Sequence, residues 1–253
     1  MDLGLSGRVF VATGASRGLG FATARCLVDE GARVVISARD ETRLTAAVKS
    51  LGGPEKAIGV AASLGDARTS ERLVSRALAE FGRLDGALIS VGGPPRGTAA
   101  EVSDELWREA FETVFLGSVR LARTVAGSLE YGGAIAFVLS SSARSPVPGL
   151  GISNGLRPGL AGVAKDMADE FGPRNVRVVS LLPGRILTDR NLELFAATGD
   201  AAKARAEAEA SIPLGRLGDP AEFGRVAAFV LSPAASYLTG LSIPVDGGAL
   251  RTL

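Results

Sequence analysis

Arg8-Val9-Phe10-Val11-Ala12-Thr13-Gly14-Ala15-Ser16-Arg17-Gly18-Leu19-Gly20 decides the fold of this chain. Arg8–Thr13 is an apolar, β-branched run of the kind that forms a buried strand. The glycines that follow join such a strand to a helix around a phosphate. Gly14 permits the tight turn, Gly18 lets the backbone approach a pyrophosphate, and Gly20 lets the helix pack against the strand. The helix that starts there offers free N–H groups and the positive end of its dipole. Glycines at this spacing also describe a simple strand–helix turn. Their place after the first strand and before a helix favours a dinucleotide site, with Ser16, Arg17 and Leu19 completing the loop that contacts it.

Outward from this stretch, short β-branched runs alternate with longer alanine-rich segments of helical period. The runs are Arg33–Ala38, Ala57–Ala61, Gly86–Ser90, Ala134–Ser140, Arg177–Leu182 and Ser242–Val245; the helical stretches include Phe21–Glu30, Thr69–Phe81, Leu106–Ala126 and Gly159–Phe171. Gly31, Gly82 and Gly172 stand where helices close. Strands spaced by helices imply right-handed crossovers and a parallel sheet covered on both faces. The expected fold is α/β, a single doubly wound domain over residues 1–253 with a mostly parallel seven-stranded sheet. Asp189–Ile212, rich in Ala, Glu, Lys and Arg, breaks the rhythm. It reads either as a helical insertion over a cleft or as an ordinary solvated surface helix.

Composition excludes several function classes. Lys and Arg number 28 against 27 Asp and Glu, a net charge of +1 that gives no reason to expect nucleic acid or an anionic membrane as partner. The chain has no histidine, which excludes a His-based metal site and a Ser-His-Asp triad, and no metal site is expected. One cysteine, Cys26, rules out an intramolecular disulfide; among Ala22, Ala24 and Leu27 it reads as a structural thiol. No apolar run approaches the roughly 18–20 residues of a membrane span, and MDLGLSGRVFVATG lacks a basic n-region and a cleavage site. The expected location is the cytoplasm.

The end of the second strand speaks to cofactor choice. NAD sites usually place an acid here to accept from the ribose 2′-OH. This chain has Ala38 at that spot, with Arg39 beside it and Arg17 in the loop as a second cation. Guanidinium groups hold phosphate by paired, charge-assisted hydrogen bonds, so NADP is favoured over NAD. Both arginines also read as solvated surface charges, and Asp40 blurs the signal.

TGASRGLG, FGRLDG (Phe81–Gly86), LSSSAR (Leu139–Arg144), LLPGRILT (Leu181–Thr188) and the closing PLGRLGDPAEF…SYLTGLSIPVDGG (Pro213–Gly248) together resemble the short-chain dehydrogenase/reductase family, its 3-oxoacyl reductase-like branch above all. The resemblance covers nearly the whole length. It implies a Rossmann fold, an NAD(P)-dependent alcohol–ketone oxidoreductase acting on a small-molecule carbonyl or alcohol, and commonly a homotetramer. It further implies cofactor contacts from Ser63, Leu64, Gly92, Pro183, Gly184, Ile186 and Thr188.

Family members work with Asn, Ser, Tyr and Lys. Here Ser153 stands at the tyrosine position, Arg157 at the lysine position four residues on, and Val114 at the asparagine position. Asn-Asn-Ala-Gly after the fourth strand has become Ile89-Ser90-Val91-Gly92, and Ser63 replaces the aspartate that contacts adenine. A serine hydroxyl has no acidity near neutral pH, whereas tyrosine starts near ~10 and is tunable. Arg157 is permanently charged; it suits the ribose or an anionic substrate and cannot act as acid or base. Lys165 lies about 12 Å along the helix from Arg157, too far to replace the lysine. Tyr131 and Tyr237 do not match the tyrosine position.

Ser141 is the first choice for holding a carbonyl oxygen at the end of its strand. Ser140 and Ser142 remain alternatives, since a one-residue register change swaps strand faces. Ser153 and Asn154 are candidates for a water-assisted proton relay. Trp107 reads as a core or interface aromatic, with substrate lining as the alternative, and Gly93–Gly97 as a stiff loop beside the cleft. Two function classes follow: a working NADP-dependent oxidoreductase with an altered proton route, or a nucleotide-binding relative without redox activity, acting as a sensor or oligomer partner.

Overall fold

Along β1 (Val9–Thr13) every residue is buried, Val9 and Val11 on one face, Phe10 and Ala12 on the other. A strand covered on both faces belongs to a parallel sheet with helices on each side. The computed structural model, which describes residues 2–130, 132–196 and 198–252, has that architecture. β2 (Arg33–Ala38), β3 (Ala57–Ala61), β4 (Gly86–Ser90), β5 (Gly133–Val138), β6 (Val176–Pro183) and β7 (Leu241–Val245) complete a 7-stranded sheet of order β3-β2-β1-β4-β5-β6-β7. Every pairing is parallel. The expected sheet is therefore present, with no antiparallel member among the described residues.

One face of the sheet is covered by α1 (Gly18–Asp29), α2 (Glu41–Ser50) and, near the C-terminus, a helix at Pro220–Leu231; Phe10, Leu27, Ile36, Leu88 and Phe223 form its core. The other face is covered by α3 (Thr69–Phe81), the helix at Gly117–Ser128 and the helix at Gly151–Phe171, around Val11, Leu73, Ile89, Leu121 and Phe137. Chain order reverses between β1 and β4, which opens a crevice at the strands' carboxyl ends. Thr13 Oγ1 donates to the Ser90 carbonyl at 2.8 Å and accepts from the Ser90 N–H at 2.9 Å, pinning both strand ends at the crevice mouth.

Several boundaries differ from the sequence reading, each for a physical reason. The stretch read as one helix over Leu106–Ala126 is α4 (Asp104–Ala110), a π-helical turn (Phe111–Leu116) and α5 (Gly117–Ser128). Ser103 caps α4, which begins two residues before Leu106, by accepting from the Leu106 N–H. Gly117 is required where α5 meets the loop after β3: a Cβ there would stand 2.3 Å from the Leu64 carbonyl oxygen. The helix read as Gly159–Phe171 is α6 (Gly151–Phe171), which runs through Pro158. Asn154 anchors its first turn by bonding both the N–H and the carbonyl of Val147, each at 2.9 Å. Gly172 does not close α6 in the left-handed conformation; the chain continues as a 3-10 turn and Asn175 takes the positive φ of 58°.

Asp189–Ile212 folds as α7 (Asp189–Ala196) and α8 (Ala201–Ala210), followed by α9 (Pro220–Leu231). Phe195, Ala208, Ile212 and Leu217 form a small core of their own, and Leu194, Phe195, Ala204 and Ala208 line the crevice. Of the two readings of this segment, the insertion over a cleft is the one found. Tyr131 lies outside the described residues.

Candidate functional site

The crevice is a cleft of about 1300 Å³. All residues expected to contact a cofactor line it: Gly14, Ser16, Arg17, Gly18, Leu19 and Gly20 from the β1–α1 loop, Arg39 after β2, Ser63 and Leu64 after β3, Gly92 after β4, and Pro183, Gly184, Ile186 and Thr188 at and after the end of β6. Ser141, Ser153 and Arg157 line the same cleft. The structure thus brings the whole candidate set to one place.

The β1–α1 loop has the geometry that its glycines require. Gly14 and Gly18 take φ of 58° and 60°, the left-handed region open to glycine. A Cβ on Gly20 would meet the Gly14 carbonyl oxygen at 2.5 Å, so only glycine lets α1 pack this closely. No side chain caps the N-terminus of α1 at Arg17, so its first N–H groups remain available to an anion. Downstream, Asp40 is fully occupied: it accepts from the Arg43 N–H at 2.9 Å as the cap of α2 and pairs with the Arg43 guanidinium at 3.2 Å. The acid that blurred the cofactor signal is thereby accounted for. Arg39 is exposed on the cleft rim and has no side-chain hydrogen bond or ion pair among the described residues. Arg17 is already engaged, 3.4 Å from Glu193 Oε1 and 3.7 Å from Asp189 Oδ2 of α7.

At the other end of the cleft the serines sort themselves. β5 ends at Val138, so Ser141 does not end a strand; it begins a 3-10 turn (Ser141–Ala143) capped by Ser140, whose Oγ accepts from the Ser142 N–H at 3.1 Å. Ser140 and Ser141 line the cleft, while Ser142 is buried with its Oγ 2.9 Å from Ser153 Oγ. Asn154 has both amide atoms committed to Val147, so it is not free to hold a relay water, contrary to expectation.

Arg157 is one helical turn beyond Ser153 on the same face of α6. It is only 4% exposed, and its Nη1 donates to the Val138 carbonyl at 2.8 Å. Its Nε is buried without a partner, and no carboxylate among the described residues pairs with it. Burial pushes its pKa down to about 10, which leaves it a cation at neutral pH.

Other candidates resolve simply. Trp107 packs over Gly155, where a Cβ would lie 2.7 Å from its ring, beside Ala110, Val114, Ile152 and Leu156; it is half-buried on that cluster and outside the cleft lining. Cys26 is half-buried between α1 and α9, and burial, then Asp29, raises its thiol pKa, as suits a structural residue. Lys165 Nζ pairs with Asp169 at 2.8 Å, away from the cleft. Gly97 bridges Leu150, tying the Gly93–Gly97 loop to the start of α6 beside the cleft. Sequence reasoning missed the Thr13–Ser90 clasp, the contact of Arg190 Nη2 with the Pro94 carbonyl at 3.3 Å, and Glu109 in the lining. Each depends on packing between distant segments and leaves no local signal.

Comparison with known proteins agrees with this architecture. A family model described as enoyl-(acyl carrier protein) reductase matches residues 14–249. Dehydrogenase/reductase SDR family member 4 of Homo sapiens is 33% identical over 249 residues, covering 96% of this chain and 88% of its own. The protein of the same name from Caenorhabditis elegans is 32% identical over 252 residues, covering 98% and 96%. L-Sorbose reductase from Gluconobacter frateurii, solved in complex with NADPH and L-sorbose, superposes with a TM-score of 0.95 at 31% identity over 100% of both chains. With its sheet order, glycine loop and cleft, the chain belongs to the short-chain dehydrogenase/reductase family of oxidoreductases.

Proposed function

We propose that the protein is an NADP(H)-dependent oxidoreductase acting on a small-molecule carbonyl or alcohol through a site in which Ser153 and Arg157 replace the family's tyrosine and lysine. The observation that carries the cofactor choice is the unpaired Arg39 beside Ala38, with Asp40 turned to other work. The uncapped N-terminus of α1 suits a pyrophosphate, and Arg39 suits a 2′-phosphate. The NADPH held by L-sorbose reductase supports the same choice.

NADPH, when bound, supplies a hydride. Ser141 donates a hydrogen bond to the carbonyl oxygen that receives negative charge as that hydride arrives. Ser153, held by its hydrogen bond to the buried Ser142, passes a proton to the oxygen and regains one from water in the cleft, so hydride and proton together convert ketone to alcohol. Neither hydroxyl originates the proton, so general acid help worth about 10²–10⁴-fold is largely missing and turnover is slow. The absence of tyrosine and lysine from the described cleft lining favours a second reading, a nucleotide-binding relative without redox activity. We assign the protein to the cytoplasm as a homotetramer; no helix among the described residues is long and apolar enough to cross a membrane.

Titration with NADPH and NADH, followed by a carbonyl-substrate screen, tests this reading. NADPH should bind about tenfold more tightly or better, and Arg39→Ala should shrink the gap. Equal affinities, unchanged in the variant, would overturn the cofactor assignment. NADPH binding with no turnover on any carbonyl would favour the second reading.

A further inference from the structure

Arg157 is the buried charge that the fold leaves unanswered. Its Nη1 is used by the Val138 carbonyl, its Nε is an orphan, and its Nη2 makes no hydrogen bond among the described residues. Nε and Nη2 together form one edge of the guanidinium. Elsewhere in this protein that edge has a defined use: Arg83 holds Asp85 with Nε on one carboxylate oxygen at 2.8 Å and Nη2 on the other at 2.6 Å. In Arg157 the Nε end of that edge is closed off by the surrounding protein, which leaves Nη2 as the corner toward the cleft, and no carboxylate among the described residues meets it.

A cation taken out of water without an anion is expensive to maintain. The cofactor's phosphates do not supply the anion. Their cradle follows β1, whereas Arg157 lies against β5, two strands away, roughly 10 Å across the sheet. A ribose diol offers hydrogen bonds and no charge. Arg177, also buried and without a carboxylate among the described residues, is answered by three backbone carbonyls, whereas Arg157 has one, which leaves its remaining partner to the substrate. The same cleft is lined by Leu106, Ala110, Val114 and Leu150, which suit an apolar body beside an anionic head.

We propose that Arg157 is a carboxylate receptor, and that the substrate is an oxo acid with an apolar body whose carboxylate lies close to the reacting carbonyl. The proposal rests on the oxidoreductase reading above and specifies its substrate class. Nη2 donates a charge-assisted hydrogen bond to one carboxylate oxygen, and the depth of the residue restricts access to a small head group. Arg157 then places the carbonyl beside Ser153, one turn away on the same helix face.

The test compares 4-methyl-2-oxopentanoate with its methyl ester by calorimetry, on the protein alone and on the protein saturated with NADP+, which cannot reduce either ketone. The wild type should bind the acid at least about tenfold more tightly than the ester, as expected for a charge-assisted hydrogen bond. Arg157→Met should bind both alike, retain NADPH affinity, and melt no lower than the wild type because a buried uncompensated charge has gone. Should that variant not fold, Arg157→Lys replaces it, with the acid preference reduced severalfold. Equal or undetectable binding of acid and ester to the wild type overturns the proposal, as does an acid preference that survives in the variants. Loss of NADPH together with the acid would make Arg157 a cofactor residue and also overturn it. A wild type that fails to bind NADPH would instead sink the cofactor reading, while the acid-to-ester ratio on the protein alone still decides this one.

Discussion

Ser142 Oγ and Ser153 Oγ stand 2.9 Å apart, both buried, one in the turn after β5 and the other in the first turns of α6. Each hydroxyl satisfies the other, so removing either strands its partner. Ser142→Ala and Ser153→Ala should each destabilise the protein by about 1–3 kcal/mol. The double variant should lose clearly less than the sum, because no polar group is then left unpaired. Urea titrations of the four proteins measure the coupling, and strict additivity would mean that the two hydroxyls do not pair in solution.

A second relationship concerns the helical insertion over the cleft. Arg17 is shared between the phosphate loop and α7, where Asp189 and Glu193 hold it. These ion pairs are exposed and so worth at most about 1 kcal/mol. Neutralising them in Asp189→Asn/Glu193→Gln should free Arg17 and raise NADPH affinity by up to about fivefold. Raising ionic strength should erase the difference. An affinity that falls would show that α7 docking on Arg17 helps to hold the cofactor.

Acid stability has a specific contributor at the start of α9. The Arg216 guanidinium, and after it the Asp219 N–H, hold the Glu222 carboxyl down at about 2. An unfolded glutamate titrates near ~4.3. A depressed acid contributes stability that is present above the unfolded value and lost as pH falls toward the folded one. Glu222→Gln should therefore lower the melting temperature at neutral pH, with the gap closing between about pH 4 and pH 2. A gap that persists in acid would assign the effect to the capping box geometry instead of the charge.

The fold is legible because its signals are local. Strand Arg8–Thr13, the glycines at 14, 18 and 20, and the arginine beside Ala38 each speak through neighbours in sequence, and all reach one cleft. The catalytic end is less legible. Ser142 meets Ser153 only because α6 begins at Gly151, whereas Pro158 makes the helix read as though it began eight residues later. Asn154 reads as a free amide in sequence, yet both its polar atoms anchor the turn that starts α6. The orphaned Nε of Arg157 has no sequence signature, since it depends on which carboxylates fail to arrive.

Assembly is the next expectation. Phe111 is 44% exposed and stacked on Phe115 with ring centroids 5.2 Å apart, and Tyr237 and Leu241 are exposed at the β7 edge. Apolar groups left outside one chain's core suit a symmetric interface between copies. Light scattering at micromolar protein should return a dimer or a tetramer. A monomer would remove the claim, and Phe111→Glu should shift an oligomer toward smaller species if that face is buried in it.

The most informative substitution restores the family's residues. Ser153→Tyr places a phenol where the cleft has only a relay hydroxyl, and Arg157→Lys supplies a cation that can lower the phenol's pKa and reach the ribose. Made alone, Ser153→Tyr sets the phenol beside a guanidinium that is held by the Val138 carbonyl and so is less free than an ammonium to turn to the phenol and the ribose together; Arg157→Lys alone has no phenol to tune. The gain should therefore be cooperative, with carbonyl reduction by the double variant exceeding the product of the single effects. NADPH oxidation in the presence of a ketone panel measures it. A double variant that folds, binds NADPH and still reduces nothing would show that the cleft no longer presents a ketone to the nicotinamide. Fast wild-type turnover that survives Ser141→Ala and Ser153→Ala would place the proton route outside these serines altogether.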